Sequence, residues 1–132
     1  THHFASFNGE KTYGSTLHFL DAKIDNGKII SIKKFNISKN SNYEKYFNVA
    51  NNAAEYLFKK YFLLFVQNKV KPTKIKWSKK IYTRKKFFEM MEIKISSKRI
   101  KKQINSFYTK NYKLLFIKYN KKKYYLKNLD DN

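Results

Sequence analysis

The chain has 132 residues, of which 42% are hydrophobic, so it is expected to fold as one domain with a single modest core and is not a wholly disordered tail. Its net charge of +21 exceeds what solubility requires and indicates a polyanionic partner. The absence of cysteine excludes disulfides and thiolate metal sites, and the longest apolar run, residues 61–66, is too short to cross a bilayer.

The first fifteen residues show no hydrophobic periodicity, and Gly9 and Gly14 interrupt them. They are expected to form an irregular arm. The three histidines of the chain, His2, His3 and His18, have no acidic or histidine partner at ligand spacing, so the sequence predicts no metal site.

Two short apolar runs, residues 17–24 and 28–37, flank Asp25-Asn26-Gly27. An Asn-Gly pair between such runs is the strongest short hairpin signal, because both residues accept positive φ. The second run is apolar on both faces, which is typical of a strand inside a sheet.

A helix is predicted next. Ser41 and Glu44 have the spacing of a capping box. Apolar residues then recur at helical spacing, namely Phe47, Ala50, Ala54, Leu57, Tyr61 and Leu64. The solid apolar run 62–66 is expected to be a buried strand that ends before Pro72.

Residues 89–95 alternate as a third strand, residues 108–119 show helical spacing, and residues 123–129 are expected to form a last short strand. This order predicts an α+β fold, a ferredoxin-like split βαβ sandwich with an extra N-terminal strand and a long basic loop. The predicted organisation is an arm and extra strand at 1–27, an RNA-binding ferredoxin-like domain at 28–129 and an acidic tail at 130–132.

Residues 69–102 hold fourteen basic and two acidic residues, with aromatic rings between the charges. A solvated lysine-rich loop is one interpretation. The interleaved rings favour RNA, since lysines follow phosphates while bases stack on aromatic faces. The predicted RNA-binding residues are Lys69, Lys71, Lys74, Lys76, Trp77, Lys79, Lys80, Tyr82, Arg84, Lys85, Lys86, Lys98, Arg99, Lys101 and Lys102.

Residues 28–104 resemble the family of small-subunit ribosomal protein ten. The resemblance rests on the strand KIISIKKFNIS, the helix NVANNAAEYLFKK, the Pro72-Thr73 step, and Phe88-Glu89-Met90 or Met91-Glu92-Ile93-Lys94 opening the third strand. The proline-rich run before Pro72 and the serine-proline-histidine step of that family are absent.

The resemblance implies a structural protein of the small-subunit head, with ribosomal RNA and neighbouring head proteins as partners. The bias towards lysine and asparagine favours a mitochondrial matrix ribosome, with a plastid as second choice. Alternatives are a membrane-peripheral subunit of a respiratory complex, a mitochondrial large-subunit protein and an organellar DNA-coating protein. The sequence shows no phosphate loop or nucleophile elbow, so neither an enzyme, a small-molecule substrate nor a cofactor is expected.

Overall fold

The computed structural model describes residues 2–23, 26–78, 82–110 and 112–127. The elements are α1 (His2–Asn8), β1 (Thr12–His18), β2 (Ile29–Asn36), α2 (Tyr43–Val66), α3 (Arg84–Glu89), α4 (Ile100–Phe107), β3 (Phe116–Tyr119) and β4 (Lys122–Tyr125). The fold is therefore α+β, as the sequence predicts.

β1 and β2 pair antiparallel, with Thr12 opposite Asn36 and Leu17 opposite Ser31, and β2 lies within the predicted run 28–37. The predicted strand 17–24 is wrong beyond His18, where β1 ends, and neither Asn26 nor Gly27 takes the positive φ expected of a tight turn. The first strand starts earlier than expected, inside the region predicted to be an irregular arm. That region also contains α1, whose Phe4, Ala5 and Ser6 are buried. The prediction of an irregular arm is therefore wrong, because a helix of seven residues gives too short a pattern to be recognised.

The ferredoxin-like arrangement is not confirmed. Within the described ranges the strands form two separate antiparallel pairs, β1 with β2 and β3 with β4. The predicted third strand is instead the end of α3 and an irregular segment, of which only Glu92 forms a parallel bridge, to Phe116. Residues 116–119, predicted to be helical, pair with β4 through a turn in which Asn120 and Lys121 both take positive φ.

The long helix α2 begins as predicted, but with a different cap. Asn42, not Ser41, accepts a hydrogen bond from the Lys45 amide at 3.1 Å. Its buried side chains are those of Tyr46, Val49, Ala50, Ala53 and Leu57. Ala50 and Leu57 confirm the predicted stripe, whereas Phe47 and Ala54 are exposed, so the face is rotated towards Tyr46 and Val49.

The run 62–66 continues this helix and is not a strand. No glycine or proline separates it from the preceding turns, and leucine is among the better helix formers. The helix ends where Asn68 adopts a φ of 53° and the Lys69 amide donates to the Leu64 carbonyl at 2.8 Å. Asparagine tolerates this left-handed conformation, which is common just after a helix.

Two buried clusters meet at α1. Phe4 packs with Ile93, Phe107 and Leu115, and a second cluster joins Ala5 to Ile37, Tyr46 and Val49. Consecutive residues of α1 thus belong to different clusters, and the helix joins the hairpin side of the molecule to the α4 side.

Leu57 should be essential to the packing of α2 on the hairpin, since only 3% of it is exposed. We expect Leu57→Ala to lower the free energy of unfolding by about 2–5 kcal/mol. Lys60→Gln, on the exposed side of the same helix, should change it by no more than roughly 0.5 kcal/mol. Equal shifts from the two variants in denaturant titrations would contradict this orientation of α2.

The histidines of α1 should make stability depend on pH. Burial lowers the pKa of His2 and of His3 below the ordinary value of 6.5, and in His3 a hydrogen bond to the Ser106 carbonyl opposes the effect in part. Below that pH the unfolded chain therefore binds protons that the folded chain does not. The resulting stability is present above pH 6.5 and is lost as the pH falls towards the lowered folded-state values.

His2→Phe should flatten this dependence, because the ring packs against Tyr13 and Phe47 and its buried Nδ1 finds no hydrogen-bond partner among the described residues. The measurement is the unfolding temperature between about pH 7.5 and about pH 5. An identical slope in the variant and the parent chain would mean that His2 does not contribute.

Candidate active site

The β1–β2 connection, residues 19–28, forms a loop with a narrow base. The Phe19 amide donates to the Lys28 carbonyl at 3.0 Å, which closes the loop just beyond His18. Gly27 is buried at this base, and a Cβ there would overlap the Phe19 carbonyl. Only glycine therefore fits at this position.

Residues 73–77 fasten this loop from the side. The Trp77 Nε1–H donates to the Gly27 carbonyl at 2.7 Å. The Thr73 amide and hydroxyl both donate to the Ile29 carbonyl, at 2.6 and 2.9 Å. Because both contacts are made at the start of β2, the segment that follows α2 holds the hairpin end in place.

His18 stands at the end of β1 with a defined tautomer. Its Nδ1 lies 2.8 Å from the Phe19 carbonyl, and its ring meets Trp77 edge to face, with centroids 4.8 Å apart. A carbonyl can only accept, so Nδ1 donates this hydrogen bond. The hydrogen bond and the contact with Trp77 hold the half-buried ring in one orientation.

Two aspartates belong to this loop. The Asp21 carboxylate is hydrogen-bonded within the loop, since it accepts hydrogen bonds from the Ala22 amide at 2.5 Å and from the Asn26 side chain at 2.8 Å. Asp25 lies four residues further on, outside the described residues. In the sequence it is the second carboxylate of the loop.

A cleft of about 660 Å³ opens beside Trp77, between the hairpin and residues 75–78. This is within the range of small-molecule sites. Its walls combine the aromatic rings of Tyr13, Trp77 and Tyr82 with the basic chains of Lys34 and Lys76. The acidic Glu10 also lines the cleft, so its charged residues are two basic and one acidic. Among the described residues no group of three potential ligands could hold a metal ion.

The residues predicted to bind RNA do not share one loop. Lys69, Lys71, Lys74 and Lys76 are exposed along the segment that follows α2, whereas Lys79 and Lys80 lie outside the described residues. The remaining basic residues are exposed in α3 or at the start of α4, namely Arg84, Lys85, Lys86, Lys98, Arg99, Lys101 and Lys102.

The two predicted aromatic residues are packed within the chain. Trp77 is half-buried against His18, as described above. The Tyr82 ring stacks on Phe4 with centroids 4.4 Å apart, and its hydroxyl accepts from the Asn8 side chain at 2.6 Å. Binding of RNA by these fifteen residues stays a prediction that the structure does not test.

The sequence matches no protein-family profile and none of the curated proteins. Its structure is similar to that of a 4-N formyltransferase from Francisella tularensis, with a TM-score of 0.79 at 19% identity over 96% of this chain and 54% of that one. A sugar N-formyltransferase from a Shewanella species gives a TM-score of 0.78 at 17% identity, over 96% and 53% of the two chains.

An N-formyltransferase from Helicobacter canadensis, solved in complex with folinic acid and dTDP-3-aminofucose, is 28% identical with a TM-score of 0.64. This match covers 92% of the chain and 46% of that protein. The chain thus spans about half the length of the structures to which it is similar.

These similarities overturn the ribosomal interpretation. The fold of the chain is similar to about half of each of these N-formyltransferase structures, so its assignment to the family of small-subunit ribosomal protein ten is wrong. The similarities also contradict three further predictions: that the chain is not an enzyme, that it takes no small-molecule substrate, and that its partners are ribosomal RNA and head proteins. Neither the respiratory alternative nor the large-subunit alternative is supported. The mitochondrial or plastid location stays an untested prediction.

The predicted hairpin did not bring the residues of this loop together. His18 is the second residue of the predicted strand 17–24, at the opposite end from Asp25-Asn26-Gly27, whereas in the structure β1 ends at His18. His18 was considered only as a metal ligand, and Trp77 only as a surface for RNA bases. No sequence pattern indicated that a residue fifty positions beyond Gly27 would bond to it.

Removing the bond of Trp77 should loosen the loop. Trp77→Phe keeps a ring against His18 but leaves the buried Gly27 carbonyl without its donor, and we expect a loss of about 0.5–1.5 kcal/mol in unfolding free energy. Amide exchange at Phe19 should accelerate. Ile75→Val, at an exposed position of the same segment, is the control. Unchanged exchange at Phe19 would show that the bond does not hold the loop.

Proposed function

We propose that this chain forms the part of an N-formyltransferase that carries the β1–β2 loop, and that the substrate is the amino group of a sugar nucleotide. The observation that carries the proposal is the TM-score of 0.79 over 96% of the chain with a 4-N formyltransferase. The Helicobacter canadensis structure, which holds folinic acid and dTDP-3-aminofucose, supports this choice of substrate and a folate as formyl donor.

The reaction requires a proton acceptor. The amine nitrogen forms a bond to the formyl carbon, and the bond between that carbon and the donor nitrogen breaks. The amine loses a proton, while the donor nitrogen takes one up. His18 Nε2, whose lone pair is fixed by the hydrogen bond of Nδ1 to the Phe19 carbonyl, is suited to accept the proton of the amine.

A carboxylate in the same loop would favour the protonated imidazole and would attract the ammonium form of the substrate. Asp21 is held by two donors within the loop, so its lone pairs are partly committed. Asp25 is therefore the better candidate for this electrostatic role. This assignment rests on its place in the sequence alone.

The cleft beside Trp77 fits the chemistry of a sugar nucleotide. Lys34 and Lys76 can neutralise a diphosphate, because ammonium groups bind phosphate oxygens through charge-assisted hydrogen bonds. The ring of Tyr13 or Trp77 offers a surface against which a base can stack. Trp77 connects this cleft to the β1–β2 loop, because its ring lines the cleft and also contacts the ring of His18.

The test is formyl transfer by the purified protein that contains this chain. It is incubated with dTDP-3-aminofucose and a formyl-tetrahydrofolate, and the product is detected by mass spectrometry. We expect His18→Gln to lower kcat by about 10²–10⁴-fold, because it removes the general base. Asp25→Asn should also lower it.

Glu55→Gln is the matched control, since Glu55 forms an exposed ion pair with Lys59 on α2, away from the loop. It should retain the parent kcat. Unfolding temperatures establish that each variant is folded. If folded His18→Gln were as active as the control, His18 would not be the base; if no formylated sugar nucleotide formed, the proposed reaction would be wrong.

A further inference from the structure

The part of α2 that follows Leu57 contributes no buried residue to the fold. The helix has 24 residues, about 36 Å in length, and every one of its buried residues lies between Tyr46 and Leu57. None of residues 58–66 is buried. We call this segment the α2 overhang.

Apart from Lys59 and Lys60, every residue of the overhang is apolar or aromatic. Its exposed large hydrophobic residues are Phe58, Phe62, Leu63, Leu64, Phe65 and Val66, and Leu63 and Val66 are 65% and 66% exposed. Contiguous exposed apolar surface of this kind marks an interaction site.

The apolar surface continues from the overhang to the candidate active site. A groove of about 380 Å³ separates β1 from α2, with Leu17, Phe62 and Phe65 among its lining. The Phe65 ring also meets that of Phe19 edge to face, with centroids 6.2 Å apart. The next residue of the β1–β2 loop, Leu20, is 94% exposed. Whatever covers the overhang therefore also contacts this loop.

The charge of the chain argues against a second copy as the occupant. Lys59 and Lys60 lie within the overhang, Lys69 follows it, and each chain carries a net charge of +21. Docking two such surfaces would bring like charges together, which costs several kcal/mol. The surface fits a partner with an apolar centre and an acidic rim.

The part of the similar structures that this chain does not cover is the candidate for that partner. They match nearly all of this chain, yet this chain spans only 46–54% of the three described above. We propose that the α2 overhang docks against a polypeptide segment that supplies the part of the N-formyltransferase fold lying beyond this chain. The inference rests on the same fold similarity as the proposed function.

Photo-crosslinking in the native cell tests this inference. The photoreactive amino acid p-benzoylphenylalanine is placed at position 62 or 58, where it replaces an exposed phenylalanine, and at position 51 as a control. Asn51 is exposed on the half of α2 that covers the sheet. Crosslinked peptides are identified by mass spectrometry.

The expected result is a crosslink from positions 62 and 58 to polypeptide that belongs to the remaining part of such a fold, with none from position 51. Crosslinks to a second copy of these 132 residues, to lipid or to nothing would each overturn the inference. The readout does not require catalysis, so His18→Gln should crosslink to the same extent. Failure of the proposed reaction is thus distinguishable from failure of the docking.

A second measurement covers the case in which the photoreactive group itself prevents docking. Leu63→Asp should leave the unfolding temperature of the purified chain unchanged, because Leu63 lies in solvent there. In the protein recovered from cells with its partner segment, the same substitution should lower the unfolding temperature, whereas Asn51→Asp should not. Equal unfolding temperatures for the two variants in that protein would overturn the inference.

Discussion

The burial of α1 between two clusters is the constraint on which the rest of the structure depends. Phe4 is inserted among Phe107 and Leu115 on one side, while Ala5 packs against Tyr46 and Val49 on the other. The Ser6 hydroxyl donates to the Ser41 carbonyl, and it lies 3.0 Å from the Ser106 hydroxyl. Neither cluster is large enough to be a stable core by itself. Because α1 contributes residues to both clusters, it joins them into one hydrophobic core.

The hairpin that carries His18 takes its position from this arrangement. The Tyr46 hydroxyl donates to the Glu10 carbonyl at 2.7 Å, which fixes the turn between α1 and β1. The Ser15 hydroxyl donates to the Ala50 carbonyl at 2.7 Å, which ties the middle of β1 to α2. The far end of β1 then projects beyond the core, where Trp77 fastens it. A rigid base with an exposed tip is the usual setting for binding and catalytic residues.

Those parts of the fold that depend on neighbouring residues could be predicted from the sequence. The apolar run 28–37 predicts β2, and the spacing of Ala50 and Leu57 predicts the buried side of α2. The rest depends on contacts between distant residues. The seven residues of α1 are helical because they are enclosed from both sides, and a helix so short is not stable from propensity alone. The same holds for Trp77, whose role is visible only once Gly27 lies beside it.

The net positive charge of the chain is compatible with both the ribosomal interpretation, which is wrong, and a small anionic ligand. A surplus of lysine reports attraction to negative charge, and the phosphates of an RNA and the diphosphate of a sugar nucleotide satisfy it equally. Aromatic rings between lysines do not separate the two, since both kinds of ligand carry bases that stack. The fold separates the two interpretations. The architecture matches that of a 4-N formyltransferase over 96% of the chain with a TM-score of 0.79, and neither the charge nor the spacing of the rings carries that information.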